Sequence, residues 1–326
     1  MKAKIGFISI DWGTTNLRIR FVSIDNFQIL DEFHFNQGLK VMDDRWKKNE
    51  KNNLDKKTYL LEKLFEFIDQ TQFDHNNIKN IIISGMASSN LGIEELDYST
   101  IPLNLSKPVI NTKIIEWNHK TIYLISGVKS NDDIMRGEET QLIGIAEEFI
   151  KNDKVVIIIP GTHSKHIYSN NGIIEDFKTF MTGEVFKTVS ENTILSKSIE
   201  YDTIKDGYKI SFLNGIDEIK KSNSLMNSVF KTRTNDLLYK KSKEENYYFL
   251  SGLFIGDELL KLATKKIEKI IVFADAKLVS LYKMALVHFD TRKEIICVPE
   301  KKIAKSQAIG QHLIYQQFIS KKISSI

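Results

Sequence analysis

Two stretches whose turn glycines lie 148 residues apart, ISIDWGTTNLRIRFV from Ile8 and IIIPGTHSKHIYSNN from Ile157, follow one plan: an apolar strand, a Gly-Thr turn with small polar neighbours, and an outgoing strand. Gly13 stands against Gly161 and Thr14 against Thr162, with Thr15 and Asn16 opposite His163 and Ser164. A glycine lets backbone approach a ligand closely, and successive turn N–H groups flanked by hydroxyls and amides form a concavity suited to phosphate oxygens. Two such turns could hold one polyphosphate between two domains. Either turn alone is also an ordinary hairpin signal. Their occurrence as a pair, each after a β-rich run, favours the phosphate reading.

Carboxylates stand where such chemistry would need them. Asp11 ends the strand before the first turn, where it could face a hard cation such as Mg²⁺, which prefers oxygen ligands with retained waters and substrate phosphates; the alternative is a turn Asp bonded to its own backbone. The segment DDIMRGEETQLIG places Arg136, Glu138 and Glu139 at the start of a helix. A carboxylate there could accept the proton of a hydroxyl attacking phosphorus, or simply stabilise the helix terminus. Arg18, His163 and Lys165 lie on the outgoing strands and could balance anionic charge. Residues 176–186, DFKTFMTGEVF, offer Lys178, Thr179, Thr182 and Glu184 in one compact loop for a hydroxylated ligand, with Gly183 as its hinge. Gly252 and Gly256 share one helix face, which suits either a flat nucleobase or close packing.

The elements that position these groups alternate. Residues 5–35 read as three antiparallel strands with turns at Gly13 and Asp25-Asn26, and 47–57 as a charged loop before the amphipathic helix TYLLEKLFEFIDQ. NIIIS and TIYLIS are strands, and 138–150 is a helix with Leu142, Ile145, Ala146 and Phe149 on one face. The second half begins at VVIIIP and continues through the helix NYYFLSGLFIGDELLKLA, the strand KIIVFA, the helix LVSLYKMALVHF, the strand EIICVP and a closing helix from about Ser306. This is an α/β chain, and its 326 residues together with the duplication divide it into domains at 1–150 and 151–326.

Composition narrows the function classes. The net charge of +4 comes from 46 basic and 42 acidic residues that are interspersed, which argues against a nucleic-acid surface. No apolar run approaches the ~20 residues that span a bilayer. The one cysteine, Cys297, lies in an apolar run and reads as a buried thiol, so a cytoplasmic protein without disulfides is expected. There is no GxxxxGK[ST] or GxGxxG, and no CxxC or HExxH for zinc.

MRGEETQLIG, PGTHSK, TFMTGE and FLSGLFIG together resemble the 2-dehydro-3-deoxygalactonokinase family, and the resemblance runs from DWGTTNLR through GMASSNLG to SQAIG. DWGTTNLR is shared with the wider actin-like sugar-kinase group, whereas MRGEETQLIG with TFMTGE is narrower. The resemblance implies two ribonuclease-H-like domains with ATP and Mg²⁺ in an interdomain cleft, phosphorylating the terminal hydroxyl of 2-dehydro-3-deoxy-D-galactonate to the 6-phosphate. It puts Asp11, Gly13, Thr14, Thr15 and Asn16 in the first phosphate motif, with Asp11 toward Mg²⁺. Gly161, Thr162, His163, Ser164 and Lys165 fall in the second, and Gly252 and Gly256 near the nucleoside. By position after Gly137, Glu138 is the expected base, with Glu139 as the alternative. Arg136 is the expected partner of the sugar carboxylate, and Ser89, Asn90, Thr179, Thr182 and Glu184 are expected to meet hydroxyls. The chain departs from the family pattern at Asp275-Ala276-Lys277, near the nucleoside, and at Ile93. Other readings are a kinase of another acidic or amino sugar, such as 2-dehydro-3-deoxygluconate, or a nucleotide-binding sensor without transfer chemistry. The partner expected is a small sugar acid; nucleic acid and membrane are not expected, and a homo-oligomer is left open.

Overall fold

The computed structural model describes residues 5–48, 54–150, 153–222, 224–263, 267, 269–289 and 294–324. The chain forms two compact units: Met1–Asp153 with Ser169–Asp176 and Lys301–Ile326, and Lys154–Tyr168 with Phe177–Glu300.

In the first unit, β1 (Ile5–Trp12), β2 (Leu17–Ser23) and β3 (Ile29–Phe35) form the antiparallel meander the alternation predicts. β4 (Asn80–Gly85) runs parallel to β1, with Asp11 opposite Ser84 and Trp12 opposite Gly85. β5 (Thr112–Trp117) and β6 (Lys120–Ile125) complete the sheet order β3-β2-β1-β4-β6-β5. In open α/β sheets a ligand site forms beyond the carboxyl ends of parallel strands, and here that end carries Asp11 and Gly85. α1 (Leu39–Lys48) and α2 (Lys56–Gln70) cover one face. Asp55 caps α2 by accepting from Thr58 N–H at 3.0 Å. Leu60, Leu61, Leu64 and Ile68 of α2 are fully buried against Ile8, Ile10, Trp12 and Ile83, each contributing about 1.5–3 kcal/mol. α3 (Glu138–Phe149) follows the sheet, with Leu142, Ile145 and Ala146 of the expected face buried, Phe149 half-buried at the helix end, and Ile143 buried as well.

The second unit repeats the strand order. β7 (Lys154–Ile159), β8 (Ser164–Asn170), β9 (Ile173–Phe180), β10 (Lys269–Val272) and β11 (Glu294–Cys297) lie in the order β9-β8-β7-β10-β11, with β7, β10 and β11 parallel. Both sheets therefore share the run 3-2-1-4 with a further parallel strand beside the fourth, β6 in the first and β11 in the second, the order of a ribonuclease-H-like domain; the first sheet adds β5 at its edge. The tip of the β8–β9 hairpin counts with the first unit because Ile173 and Ile174 pair with Asn104 and Leu103. α4 (Thr182–Asn192), α5 (Asp206–Lys221), α6 (Leu225–Tyr239), α7 (Lys243–Ala263) and α8 (Ala276–His288) surround the sheet.

The structure differs from the sequence expectations at several places. Residues 176–184 are not a compact loop: they are the end of β9 running into α4. α1, α5 and α6 are additional helices. α5 buries a stripe of Ser211, Phe212, Gly215, Ile216 and Ile219, and α6 buries only Ser228, Val229 and Thr232, too small and polar to show as an amphipathic period. The closing helix α9 (Glu300–Ser324) starts six residues before Ser306 and counts with the first unit. Its Gln311 side chain donates to Ile10 O at 2.8 Å and Ser84 Oγ at 2.9 Å, which fastens it to β1 and β4. Of the charged loop expected at 47–57, residues 49–53 lie outside the described residues, and Lys47, Lys48, Lys56 and Lys57 belong to α1 and α2. Cys297 is half-buried rather than buried, because β11 is the edge strand.

Candidate active site

The first Gly-Thr turn closes β1 onto β2 through Gly13 N–H to Asn16 O at 2.9 Å. A second element backs it. The N–H groups of Gly38, Leu39 and Lys40 at the start of α1 donate to the carbonyls of Thr15, Gly13 and Thr14 at 2.8, 3.0 and 3.1 Å. The first N–H groups of a helix have no partner inside it, and here they occupy the turn's carbonyl oxygens, leaving Thr14, Thr15 and Asn16 exposed on the other side. Only a glycine fits at 38, since a Cβ would lie 2.2 Å from Thr14 O.

The second turn is built the same way. Glu184 N–H at the start of α4 donates to Thr162 O at 3.0 Å, and a Cβ on Gly183 would stand 2.3 Å from Gly161 O. Gly161, Thr162 and His163 are exposed. The duplication visible as two turns thus includes a backing glycine and helix, 25 residues after Gly13 and 22 after Gly161. Those glycines were not paired by sequence reasoning, because the connection between the two intervening strands is longer in the first hairpin (residues 24–28) than in the second (171–172).

Around the first turn, the register of β1 against β2 and β4 gathers the acidic groups. Arg18 Nη1 bonds Asp11 Oδ2 at 3.3 Å. Gly85 and Gly137 have φ of 89° and 111°, a region costly for other residues. A Cβ on Gly85 would lie 3.2 Å from Asp11 Oδ1, and one on Gly137 3.5 Å from Gly85 Cα. Glycine at both positions lets the start of α3 come close to the Asp11 strand end. There Glu138, half-exposed, accepts from Arg136 N–H at 3.0 Å. Glu139 is wholly buried, with Gly137 N–H at 2.9 and 2.7 Å from its two oxygens and the Thr140 hydroxyl at 3.1 Å. Burial, then the neighbouring Glu138 charge, pushes the Glu139 carboxyl up from 4.5 to about 8. Full burial and a raised carboxyl thus set Glu139 apart from the half-exposed Glu138.

The Arg136 guanidinium is fixed by its Nη1, which donates to Ser88 O and to Ser88 Oγ (2.6 Å), and by the Tyr98 ring, 4.2 Å away. Its Nε is a buried donor without a hydrogen-bond partner among the described residues. Ser89 is turned onto its own loop, donating to Met86 O at 2.7 Å, whereas Asn90 is exposed with its carbonyl bound by Lys56. Ser88, rather than Ser89, is the loop residue that touches Arg136.

In the second unit the expected residues separate into two groups. His163 and Glu184 face each other at 2.5 Å on the surface beside the turn, and Lys165, buried, bonds the Thr179 hydroxyl at 2.6 Å. Ser164 and Thr182 instead turn inward: both hydroxyls donate to the buried Glu258, that of Ser164 at 2.7 Å. The expectation that Ser164 offers its hydroxyl at the turn surface is corrected by this bond.

Gly252 and Gly256 are likewise corrected. A Cβ on Gly252 would sit 2.0 Å from Phe212 O, and one on Gly256 3.2 Å from Ile216 Cα, so this face of α7 packs on α5. The ligand-sized space lies on the other face. A cavity of about 250 Å³ is lined by Tyr247, Ser251 and Phe254 of α7, Phe186 of α4, Lys277 of α8 and Gly161 of the turn. Asp275 caps α8 through Leu278 N–H at 3.0 Å, and the Lys277 ammonium lies 3.8 Å from the Tyr201 ring centroid. The departure at Asp275-Ala276-Lys277 therefore falls on the rim of an aromatic pocket next to the second turn. The glycines of FLSGLFIG suit a nucleobase and close packing alike from sequence, and the structure uses them for packing; the aromatic Tyr247, four residues before Ser251, was the signal for the cavity face.

Among the described residues, no group of three or more His, Cys, Asp or Glu is arranged to hold a metal ion, and no helix is long and apolar enough to cross a membrane. The family model described as 2-keto-3-deoxy-galactonokinase matches residues 11–305. DgoK1 of Rhizobium meliloti, provisionally assigned as a 2-dehydro-3-deoxygalactonokinase, is 32% identical over 214 residues, 63% of this chain and 69% of its own. The 2-dehydro-3-deoxygalactonokinase of Escherichia coli is 25% identical over 260 residues, 78% of this chain and 80% of its own. The crystal structure of a Sinorhizobium meliloti protein, provisionally assigned to the same activity, matches with a TM-score of 0.79 at 25% identity, covering 95% of this chain and 96% of that one.

Proposed function

The chain belongs to the 2-keto-3-deoxy-galactonokinase family, a family of carbohydrate kinases, and from that premise we propose how its residues divide the reaction. The reaction transfers the γ-phosphoryl group of ATP to the 6-hydroxyl of 2-dehydro-3-deoxy-D-galactonate in the cytoplasm, as a step of galactonate breakdown. Glu138 takes the hydroxyl proton while the sugar oxygen forms its bond to the γ-phosphorus. The bond from that phosphorus to the β–γ bridging oxygen breaks, and ADP leaves with the electron pair.

What supports this division is the contrast between the two adjacent glutamates: Glu138 is half-exposed, whereas Glu139 is fully buried with both carboxyl oxygens taken by Gly137 N–H, and burial pushes its carboxyl up. Thr14, Thr15 and Asn16 on one turn and Gly161, Thr162 and His163 on the other bear the phosphates, supported by the helix starts behind each turn. Lys165 reinforces the second turn through Thr179. The cavity of about 250 Å³ takes the nucleoside, with Tyr247 and Phe186 against the base. Arg136 meets the sugar carboxylate with the guanidinium edge that carries its unpartnered Nε. Asn90 and Glu184 remain candidates for the sugar hydroxyls.

Asp11 fits a Mg²⁺ site of the kind held by one carboxylate, waters and substrate phosphates, since its side chain is one-fifth exposed at the strand end and no all-protein cage is present among the described residues. Bound there, the cation would neutralise charge developing on the phosphates. Glu138→Gln tests the division of roles: turnover should fall by about 10²-fold or more while ATP affinity stays within about twofold. Wild-type turnover in that variant would remove Glu138 from the chemistry.

A further inference from the structure

Glu258, on α7, is 3% exposed and belongs to no motif the sequence pointed to. Its Oε1 receives Ser164 Oγ at 2.7 Å and His166 Nε2 at 2.9 Å, and its Oε2 receives Thr182 Oγ1 and the Tyr282 hydroxyl, the latter at 2.8 Å. Two donors on each oxygen fill a carboxylate's acceptor sites. What distinguishes this from an ordinary buried cluster is where the donors sit. Ser164 is the residue immediately after the second turn and the first of β8. Thr182 is the first residue of α4 and precedes Gly183, whose backbone lies against Gly161 and Thr162. Thr182 and Tyr282 also line the cavity next to that turn.

We propose that Glu258 is a positioning residue for nucleotide binding: from inside the core it fixes the register between the Gly161–His163 turn and the α4 start that backs it. The inference rests on the reading that the second turn and this cavity take the nucleotide.

Two variants separate positioning from bulk stability. Glu258→Gln keeps the volume but turns one acceptor into a donor, so two of the four donors must reorient. Thr182→Val removes only the link to α4 at nearly constant shape. In steady-state kinetics, each should raise KM for MgATP about tenfold, with KM for the sugar acid within about twofold. Should Glu258→Gln fail to fold, Thr182→Val carries the same reading. Folded variants with a lowered Tm but KM for MgATP within twofold of wild type would overturn the proposal and leave Glu258 a purely structural group. A wild-type chain that binds no MgATP by calorimetry would instead overturn the nucleotide reading itself, and the inference with it.

Discussion

Removing the buried carboxylate of Glu139 should change how stability depends on pH. Its carboxyl is pushed up from 4.5 to about 8, by burial first and the Glu138 charge second, against hydrogen bonds from Gly137 N–H and the Thr140 hydroxyl that favour the ionised form. The folded chain thus keeps a proton that the unfolded chain releases near pH 4.5. Between those values the folded state binds more protons, so its stability falls as pH rises; the contribution is fully present below pH 4.5 and gone above about 8. At about 1.36 kcal/mol per pH unit, the loss between pH 5 and pH 8 is about 4 kcal/mol. Glu139→Gln is uncharged throughout and resembles the protonated side chain, so it should lack this loss. Trp12, Trp46 and Trp117, all the tryptophans of the chain, lie in the first unit with Glu139. Urea unfolding followed by tryptophan fluorescence therefore reads the relevant unit. The stability of the variant relative to wild type should grow by about 4 kcal/mol from pH 5 to pH 8. A difference constant within about 1 kcal/mol over that range would show that Glu139 is not a proton-holding group, and would refute the reasoning that sets it apart from Glu138.

Two glycine substitutions give opposite kinetic outcomes. Gly183→Ala places a methyl 2.3 Å from Gly161 O, backbone that cannot swing aside; KM for MgATP should rise about tenfold or more with KM for the sugar acid little changed, and an unaltered KM would mean that the turn tolerates displacement. Gly252→Ala drives a methyl to 2.0 Å from Phe212 O and forces α5 and α7 apart. It should destabilise the second unit by about 1–3 kcal/mol in a thermal melt followed by circular dichroism, while KM for MgATP in the folded variant stays within about twofold. A large rise in that KM at unchanged stability would return Gly252 to the nucleotide site.

The strands that carry the site were legible because their signal is local. Ile8, Ile10 and Trp12 alternate with the small or polar Ser9 and Asp11, and the turn glycines follow at fixed offsets. The helix with Leu142, Ile145 and Ala146 showed a clean period, and Glu138 and Glu139 could be placed at its start from Gly137. The sequence could not separate those two glutamates, since adjacent residues on a helix point about 100° apart and only the packed fold says which one is buried. What was missed depends on contacts distant in the chain. Gly38 and Gly183 matter only because turns far upstream approach them, and Glu258 gathers four donors from three other elements. Gly252 could not be assigned between nucleobase and packing for the same reason: its partner, Phe212, lies 40 residues earlier, on α5.

The central claim is tested most directly by coupled ADP release with MgATP and a panel of 2-dehydro-3-deoxygalactonate, 2-dehydro-3-deoxygluconate, galactonate and a neutral hexose. The account predicts turnover with 2-dehydro-3-deoxygalactonate and none with the neutral hexose, which offers Arg136 no carboxylate. Turnover confined to the hexose, or no turnover with any of the four while ATP still binds, would contradict it.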